Sequence, residues 1–430
     1  MLARLGVRAG DVVAVASPSP VGFIATVLAI WAVSAAPLLA AASLGRQELR
    51  AIAAGVADWL VTDEGATGER MAEAVGGTLV DGDPLLAVAG SGQDLPRQGS
   101  LALVKLSSGS TAEPKTVALT AEAVLAEAAA VCGVLSLSEA DAVLCPVPVH
   151  HSYGFDLGFL PMLTAGSMLH VHAPLVPRRL LAELQGSEVT VLLGVPALYR
   201  ALVDAPLDEP PDLSHIRFPL SCTAPLDPKL VGEFHERFGV PICQHYGASE
   251  TGGVTTHVPS EVLRLPSAVG RAMTGVRIEI VDGEIAVSGP ALAVGYLSGA
   301  PVGLSPFRGG RFHTGDLGNL DLDGFLTVGG RRDAVVNVGG LKVSPLEVQW
   351  ALERHPAVRE AGVLGRDDGR GGRYVHAVVA LAAAATEREL IEHCRRELAE
   401  HKVPRRIEFR DALPRTASGK VRLRDEDLPA

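Results

Sequence analysis

Several short polar clusters carry residue types suited to phosphate and sugar chemistry. KLSSGSTAEPKTVALT, Lys105 to Thr120, runs from an apolar segment into a turn rich in Ser, Thr and Gly. Ser107, Ser108, Ser110 and Thr111 offer hydroxyls, Gly109 lets the backbone approach an anion, and Lys115 supplies a point charge. GSTAEPKT misses the nucleotide-binding P-loop pattern G-x-x-x-x-G-K-[ST] at a single place, where Pro114 stands for glycine. Proline fixes φ and removes an N–H, so it is a poor substitute beside phosphates in that loop. Farther on, HYGASETGG places Glu250 behind a glycine turn, where a carboxylate can hold Mg²⁺ against phosphates. RFHTGDLG carries Asp316, able to accept both hydroxyls of a ribose, with Arg331 of GRRDAVVNVGG close behind. PRTASGKVRLRD puts Lys420 on a Gly/Ser loop near the C-terminus. Each cluster alone is commonly an ordinary turn; their ordered succession is the signal.

The elements that must position these clusters alternate. DVVAVAS, DWLVTDE, LALVKLSS, DAVLCPVP, SMLHVHAP and VTVLLGVP read as buried strands, and RQELRAIAAG, AEAVLAEAAAVCGV and RRLLAELQGS as helices. Thr120 suits an N-cap, with Glu122 in the first turn. This order predicts an α/β fold with stacked, largely parallel sheets. After about Leu265 the texture changes. GVRIEIVDGEIAVSGPALAVGYL alternates with period two around a DG turn, and LDLDGFLTVGG adds a second DG hairpin, so a barrel-like antiparallel subdomain is expected. A small α+β unit follows, with helices Pro345–Arg354 and Glu387–Lys402 and strands near Ala361–Leu364, Tyr374–Leu381 and Arg406–Phe409. Clustered glycine and charge at Gly329–Asp333 place the domain boundary there, giving domains 1–332 and 333–430. The stretches Gly68–Arg97 and Leu297–Gly310 read as irregular loops.

Bulk properties exclude some classes. A chain of 430 residues exceeds a single core, and 47% hydrophobic with 20% charged residues is a globular composition. The net charge of −11 argues against nucleic acid as a partner. Five scattered cysteines without a C-x-x-C read as reduced thiols of a cytoplasmic protein. The uncharged run between Asp11 and Arg46 is long enough to span a bilayer, but Pro18, Pro20 and Pro37 break it. It is expected to form a buried helix, about Val21 to Val33, and a buried strand near Pro37 to Ala40, with no membrane insertion. His170 and His172 share a strand face, but two histidines make an incomplete metal site. Arg395 and Arg396 read as a solvated helix face.

Together the clusters resemble the acyl-adenylate-forming superfamily of acyl-CoA synthetases, nonribosomal peptide adenylation domains and luciferases, over about Gly10 to Arg424. LSSGSTAEPKT is similar to that family's Ser/Thr/Gly loop, in which the proline is expected, so Pro114 belongs to a different phosphate loop from the P-loop. HYGASE, HTGD, GRRDAVVNVGGLKVSPLEV and PRTASGK match its further motifs in order. The resemblance implies that Ser107 to Lys115, with Thr111 among the catalytic groups, enclose the β,γ-phosphates of ATP. It implies that Tyr246 and Gly247, with Ala224 and Pro225 of SCTAPL, form the adenine slot. By the same resemblance Glu250 binds Mg²⁺, Asp316 and Arg331 hold the ribose, and Lys420 bridges the acid and the α-phosphate. His151 of PVPVHHSYG lies beside the acyl site, and Asp333 is the hinge of a mobile C-terminal domain. Gly339, Gly340 and Lys342 resemble the region that contacts pantetheine. The acyl pocket falls to His151, Ser152, Cys222, Thr223, His245 and Ala248.

This chain departs from the family pattern in places. Ala112 and Thr116 replace two glycines of the loop, His150 replaces an aromatic or small residue, and the N-terminal subdomain reads as shortened. Amino-acid-activating relatives carry an aspartate where Ser152 stands, with Asp156 the nearby alternative. His245 and Cys222 add bulk to the pocket, which favours an aryl or short-chain acid. The expected activity is ATP-dependent formation of acyl-AMP and pyrophosphate, then transfer to a phosphopantetheine thiol. CoA is the first acceptor and a carrier protein the rival, in a monomer or homodimer. A P-loop phosphotransferase and an inactive nucleotide-binding homologue are the alternatives from other classes.

Overall fold

The computed structural model describes residues 2–77, 80–81, 86–89, 101–107, 115–171, 176–298, 305–339, 341–367, 372–415, 421 and 423. The phosphate-loop residues Ser108, Gly109, Ser110, Thr111, Ala112 and Pro114 lie outside them, as do His172, Gly340 and Lys420. The chain forms two units, Met1–Ile278 with Val287–Phe312, and Glu279–Ala286 with His313–Ala430.

The first unit contains two sheets. In one, the strands run in the order Gly295–Ser298, Lys115–Thr120, Leu101–Ser107, Ala36–Leu39, Val12–Val15, Trp59–Thr62, Leu86–Ala89 and Val80–Asp81. Its centre is parallel and both margins are antiparallel. The other runs Arg271–Ala272, Gly252–Thr256, Cys243–Ala248, Phe218–Ser221, Val189–Gly194, Ala142–Cys145, Met168–Val171, with parallel pairing from Cys243–Ala248 to Met168–Val171. The uncharged N-terminal run folds as helix Pro20–Ala32, capped by Ser19, and strand Ala36–Leu39. Among the described residues no helix is long and apolar enough to cross a membrane.

Helix Ala121–Leu135 joins the two sheets. The Thr120 hydroxyl accepts the Ala123 N–H, and Glu122 in the first turn is held below the usual carboxylate range, first by a backbone hydrogen bond and then by Thr120. Ala123, Val124 and Ala128 pack into the core of the first sheet, while Ala130, Val131 and Leu135 pack into that of the second. The π-helical turn Phe155–Phe159 does the same, with Phe155 and Phe159 on one core and Leu157 on the other.

The second unit opens on the tip, Glu279–Ala286, of a tight hairpin whose strands are Arg277–Val281 and Glu284–Ser288. Asp282 and Gly283 have φ of 51° and 78°, the paired left-handed conformations a two-residue hairpin turn requires. Strand Arg311–Leu320 then pairs antiparallel with Leu326–Arg331. The remainder is α+β: strands Val358–Asp367, Arg373–Leu381 and Arg406–Phe409 against helices Pro345–Glu353 and Glu387–Glu397.

Several elements differ from the expectation. Strand Gly295–Ser298 is no part of the second antiparallel group. It pairs with Lys115–Thr120 at the edge of the first sheet, where the Ser298 N–H donates to Thr116 Oγ1 at 2.7 Å. Gly68 lies in a helix, Gly65–Val75, closed by Gly76 at φ 66°. The helix from Glu387 ends at Glu397: Leu398 is extended, and a single 3₁₀ turn at Glu400–Lys402 precedes Pro404, which excludes Val403 from helical geometry. Thr120→Ala is expected to lower stability by about 1 kcal/mol; an unchanged urea denaturation midpoint would count against the cap.

Candidate active site

The loops carrying the candidate residues of the second sheet leave the carboxyl ends of its parallel strands. Strand Ala142–Cys145 leads to His150 and His151, Phe218–Ser221 to Cys222–Pro225, and Cys243–Ala248 to Glu250. The chain goes from Ala142–Cys145 outward to Met168–Val171, then returns to the other side with Val189–Gly194. This reversal is the switch point at which open α/β sheets form their ligand crevice, and His151 follows directly from it.

Glu250 sits in the turn between Cys243–Ala248 and Gly252–Thr256 and is buried. Its Oε1 accepts the Tyr296 hydroxyl at 2.8 Å and the Ser107 hydroxyl at 3.4 Å. Lys115 Nζ lies over the Tyr296 ring, 5.5 Å from its centroid. Glu250 is thus joined to both described ends of the phosphate loop, directly to Ser107 and through Tyr296 to Lys115. Among the described residues both hydrogen bonds fall on Oε1, which leaves Oε2 able to hold a cation. No group of three or more His, Cys, Asp or Glu side chains suited to a metal occurs among the described residues. A single carboxylate completed by phosphate oxygens and water is the usual arrangement for Mg²⁺, and this oxygen-donor set fits it. Tight backbone approach shapes the turn: a Cβ on Gly247 would stand 2.4 Å from the Gly252 carbonyl oxygen.

On the acyl side, His151 caps a short turn, its Nδ1 accepting the Tyr153 N–H at 3.3 Å. Ser152 Oγ shares a 2.8 Å hydrogen bond with Ser249, next to Glu250. His245 is buried, stacks on Tyr153 with ring centroids 6.4 Å apart, and bonds Thr256 through Nδ1 at 2.9 Å. Burial pushes its imidazole down to about 4, so the ring is neutral at physiological pH. His150 packs edge-on against Phe23, and burial lowers it too. Cys222, Ala224, Tyr246 and Ala248 are half-buried, and Pro225 is exposed. Thr223 adopts φ 73°, a strained conformation for a β-branched residue, and its buried hydroxyl has no partner among the described residues. Asp156 is not free to meet an amine: Lys105 Nζ donates to its two oxygens at 2.8 and 2.6 Å, with Lys105 2% and Asp156 4% exposed.

The second unit brings together the candidate ribose and hinge residues. Asp316 and Arg331 are cross-strand partners. The Arg331 guanidinium donates to the Thr314 carbonyl at 2.7 Å and to both oxygens of Asp333 at 3.1 and 3.3 Å, and lies 3.5 Å from Asp316 Oδ1. Gly315 has φ 77°, and a Cβ there would stand 2.6 Å from Arg331 Nη2. Buried Glu284 accepts the Gly315 N–H at 2.9 Å and lies 3.3 Å from Arg332, fixing the turn before Asp316. Gly339 and exposed Lys342 belong to the hairpin Val336–Val338/Leu341–Val343.

Sequence reasoning passed over Tyr296, Glu284, Lys105 and Glu127. The last two carried a signal, a lysine inside the apolar strand LALVKLS and a glutamate on the apolar face that also presents Val124, Ala128 and Val131.

With this geometry, the chain belongs to the AMP-binding enzyme family. That family's profile matches residues 1–297, and the profile of the AMP-binding enzyme C-terminal domain matches 347–420. Its relatives are CoA ligases. The oxalate–CoA ligase of Arabidopsis thaliana is 30% identical over 99% of this chain and 89% of its own. The 2-succinylbenzoate–CoA ligase of Geobacillus kaustophilus (strain HTA426) is 31% identical over 99% of this chain and 89% of its own. Among solved structures, o-succinylbenzoate CoA synthetase from Bacillus subtilis in complex with the acyl-adenylate intermediate OSB-AMP has a TM-score of 0.82 at 27% identity, covering 98% of this chain and 88% of that one. The same enzyme in complex with ATP and magnesium ion gives a TM-score of 0.82 at 27% identity, over 98% and 90%. The fold is that of adenylate-forming enzymes, and the P-loop alternative falls away.

Two outcomes are expected. Lys105→Met, which leaves Asp156 buried without its cation, should destabilise the fold by about 3–5 kcal/mol, and adding Asp156→Leu should recover most of that in thermal unfolding. His245 binds its proton in the unfolded chain before it does in the folded one. Stability should therefore fall as pH drops from 6.5 towards 4, and His245→Phe should flatten that slope.

Proposed function

We propose that the protein joins a carboxylic acid to a thiol in two steps. The acid's carboxylate oxygen attacks the α-phosphorus of ATP, forming acyl-AMP and releasing pyrophosphate. A thiolate then attacks the acyl carbon, forming the thioester and releasing AMP. The grouping of Ser107, Lys115 and Tyr296 around Glu250 carries this reading, supported by family membership among CoA ligases.

The first step brings two anions together, so positive charge and hydrogen-bond donors must be fixed where negative charge gathers. Lys115 and the hydroxyls of Ser107, Ser108, Ser110 and Thr111 hold the β,γ-phosphates, with the Gly109 amide. Glu250 would hold Mg²⁺, which when bound offsets phosphate charge. Tyr246 stacks on adenine over Gly247, with Ala224 and Pro225 lining the slot. Asp316 accepts the ribose hydroxyls while Arg331, braced by Asp333, orients it. Lys420 neutralises the carboxylate and α-phosphate in the first step and leaves by rotation about Asp333 before the second. His151 faces the acyl carbon.

The acid is aryl or short-chain. Buried His245 stacked on Tyr153 and the half-buried Cys222 narrow the pocket that Thr223 and Ala248 border. Ser152 is bonded to Ser249 and Asp156 to Lys105, so neither of these two positions offers a carboxylate to an α-amine. CoA is the acceptor, with free-standing loading of a carrier protein as the rival that parallel assays with CoA and a phosphopantetheinylated carrier protein would separate.

A pyrophosphate-release screen across aryl, short, medium and long acids is the test. Benzoate- or butyrate-sized acids should turn over well; efficient palmitate turnover with poor turnover of small acids would overturn the substrate reading. Lys420→Ala should lower acid-dependent pyrophosphate release by about 10²–10³ while keeping nucleotide binding. Unchanged turnover would remove Lys420 from the mechanism.

A further inference from the structure

Three ionisable side chains are buried in the seam between the two sheets of the first unit, and the chemistry above uses none of them. Lys105 lies two residues before Ser107 on the phosphate-loop strand. Asp156 lies on the π-helical turn that follows His151 and Ser152. Glu127 lies midway along helix Ala121–Leu135, 2% exposed. Its two oxygens both accept the Gly253 N–H at 2.9 Å. Gly253 follows Glu250 by three residues. The preceding Gly252 has φ 66°, and a Cβ on it would stand 2.1 Å from Glu127 Oε2, so the turn's backbone rests directly on this carboxylate.

We propose that Glu127 is a positioning residue that holds the Glu250 turn through the Gly253 amide, and that the Lys105–Asp156 pair fastens the phosphate-loop strand and the His151 turn to the same point. This rests on the reading of Glu250 as the cation-holding carboxylate. The geometry is specific to a carboxylate: two acceptor oxygens straddle one amide, whereas a carboxamide would offer a single acceptor and set an NH₂ group against the second position. Burial is the first cause pushing the Glu127 carboxyl up, to about 7, and the negative charge of Asp156 adds to it, while Lys105 opposes. An apolar residue would fill this seam without that cost, and a polar group kept in an apolar core has to be satisfied by a partner. Here the partner is the backbone of the turn bearing Glu250. Two contacts thus brace the three segments: Lys105–Asp156 ties the strand bearing Ser107 to the turn after His151, and Glu127 ties helix Ala121–Leu135 to the turn bearing Glu250, with the charges of Asp156 and Lys105 felt at Glu127.

The test compares Glu127→Gln, Glu127→Asp and Glu250→Gln in the full-length protein by two readouts. One is deuterium uptake of the amides at 250–253 in the absence of substrate. The other is the Mg²⁺ concentration giving half-maximal acid-dependent pyrophosphate release at fixed ATP. Glu127→Gln should speed exchange at Gly253 and raise the Mg²⁺ midpoint about tenfold, the size of one lost charge-assisted hydrogen bond, with kcat at saturating Mg²⁺ changed far less. Glu127→Asp keeps the carboxyl but shortens the reach, and should fall between Glu127→Gln and the parent; it also serves if Glu127→Gln does not fold. Glu250→Gln should raise the Mg²⁺ midpoint without speeding Gly253 exchange. If Glu250→Gln raises the midpoint while the folded Glu127 variants leave it unchanged, the positioning role is overturned. If Glu250→Gln itself leaves the midpoint unchanged, the reading of Glu250 fails and the inference with it. If exchange at Gly253 is the same in parent and variants, the Glu127–Gly253 contact does not hold the turn.

Discussion

A charge buried in an apolar seam must find its partner in the protein, and that constraint shapes the first unit. Where the two sheets share a helix and a π-helical turn, Lys105 is matched by Asp156, and Glu127 by a backbone amide. The partners come from segments far apart in the chain, so satisfying the charges also fixes the mutual placement of those segments. Removing one member would leave a buried ion uncompensated, which is why such a cluster holds geometry more firmly than its net stabilisation suggests.

That placement matters because the proposed reaction crowds negative charge. An acid, a triphosphate and the carboxylate of Glu250 converge, and only groups already fixed in position stabilise the developing charge without reorganising. The fold supplies this by sending the strands Leu101–Ser107, Ala142–Cys145, Phe218–Ser221 and Cys243–Ala248 towards their loops from carboxyl ends, with a topological reversal beside the His151 loop. Tyr296 adds a link of its own. It comes from an edge strand remote in sequence, and it joins Glu250 by its hydroxyl and Lys115 by its ring. Asp316, Arg331 and Asp333 are likewise tied together in the second unit, with Glu284 holding the turn before Asp316.

Local chemistry made much of this legible before any coordinates. Parallel strands announced themselves as apolar runs, the Thr120 cap as a hydroxyl before a helical pattern, and the DG pairs as hairpins with left-handed residues at Asp282 and Gly283. Motif order pointed to the family because each motif pairs a glycine turn with one charged group. What stayed hidden was long-range pairing. Strand Gly295–Ser298 alternates like its neighbours in sequence, and nothing local shows that it returns to the edge of the first sheet. Asp156 looked like a candidate for binding an amine because its partner, Lys105, stands on a strand fifty-one residues earlier. The end of the helix at Glu397 was missed because Leu398–Lys402 has no helix breaker of its own; Pro404 constrains only Val403, and nothing local marks the stop at Leu398.

The central claim is that a carboxyl group and the α-phosphorus of ATP are joined reversibly in this protein. Isotope exchange tests it most directly: labelled pyrophosphate is incubated with the protein, ATP, Mg²⁺ and a panel of carboxylic acids, with no thiol present. The account predicts that label enters ATP only when a suitable acid is supplied. Exchange independent of any acid, or hydrolysis of ATP to ADP and phosphate with no exchange across the whole panel, would contradict it.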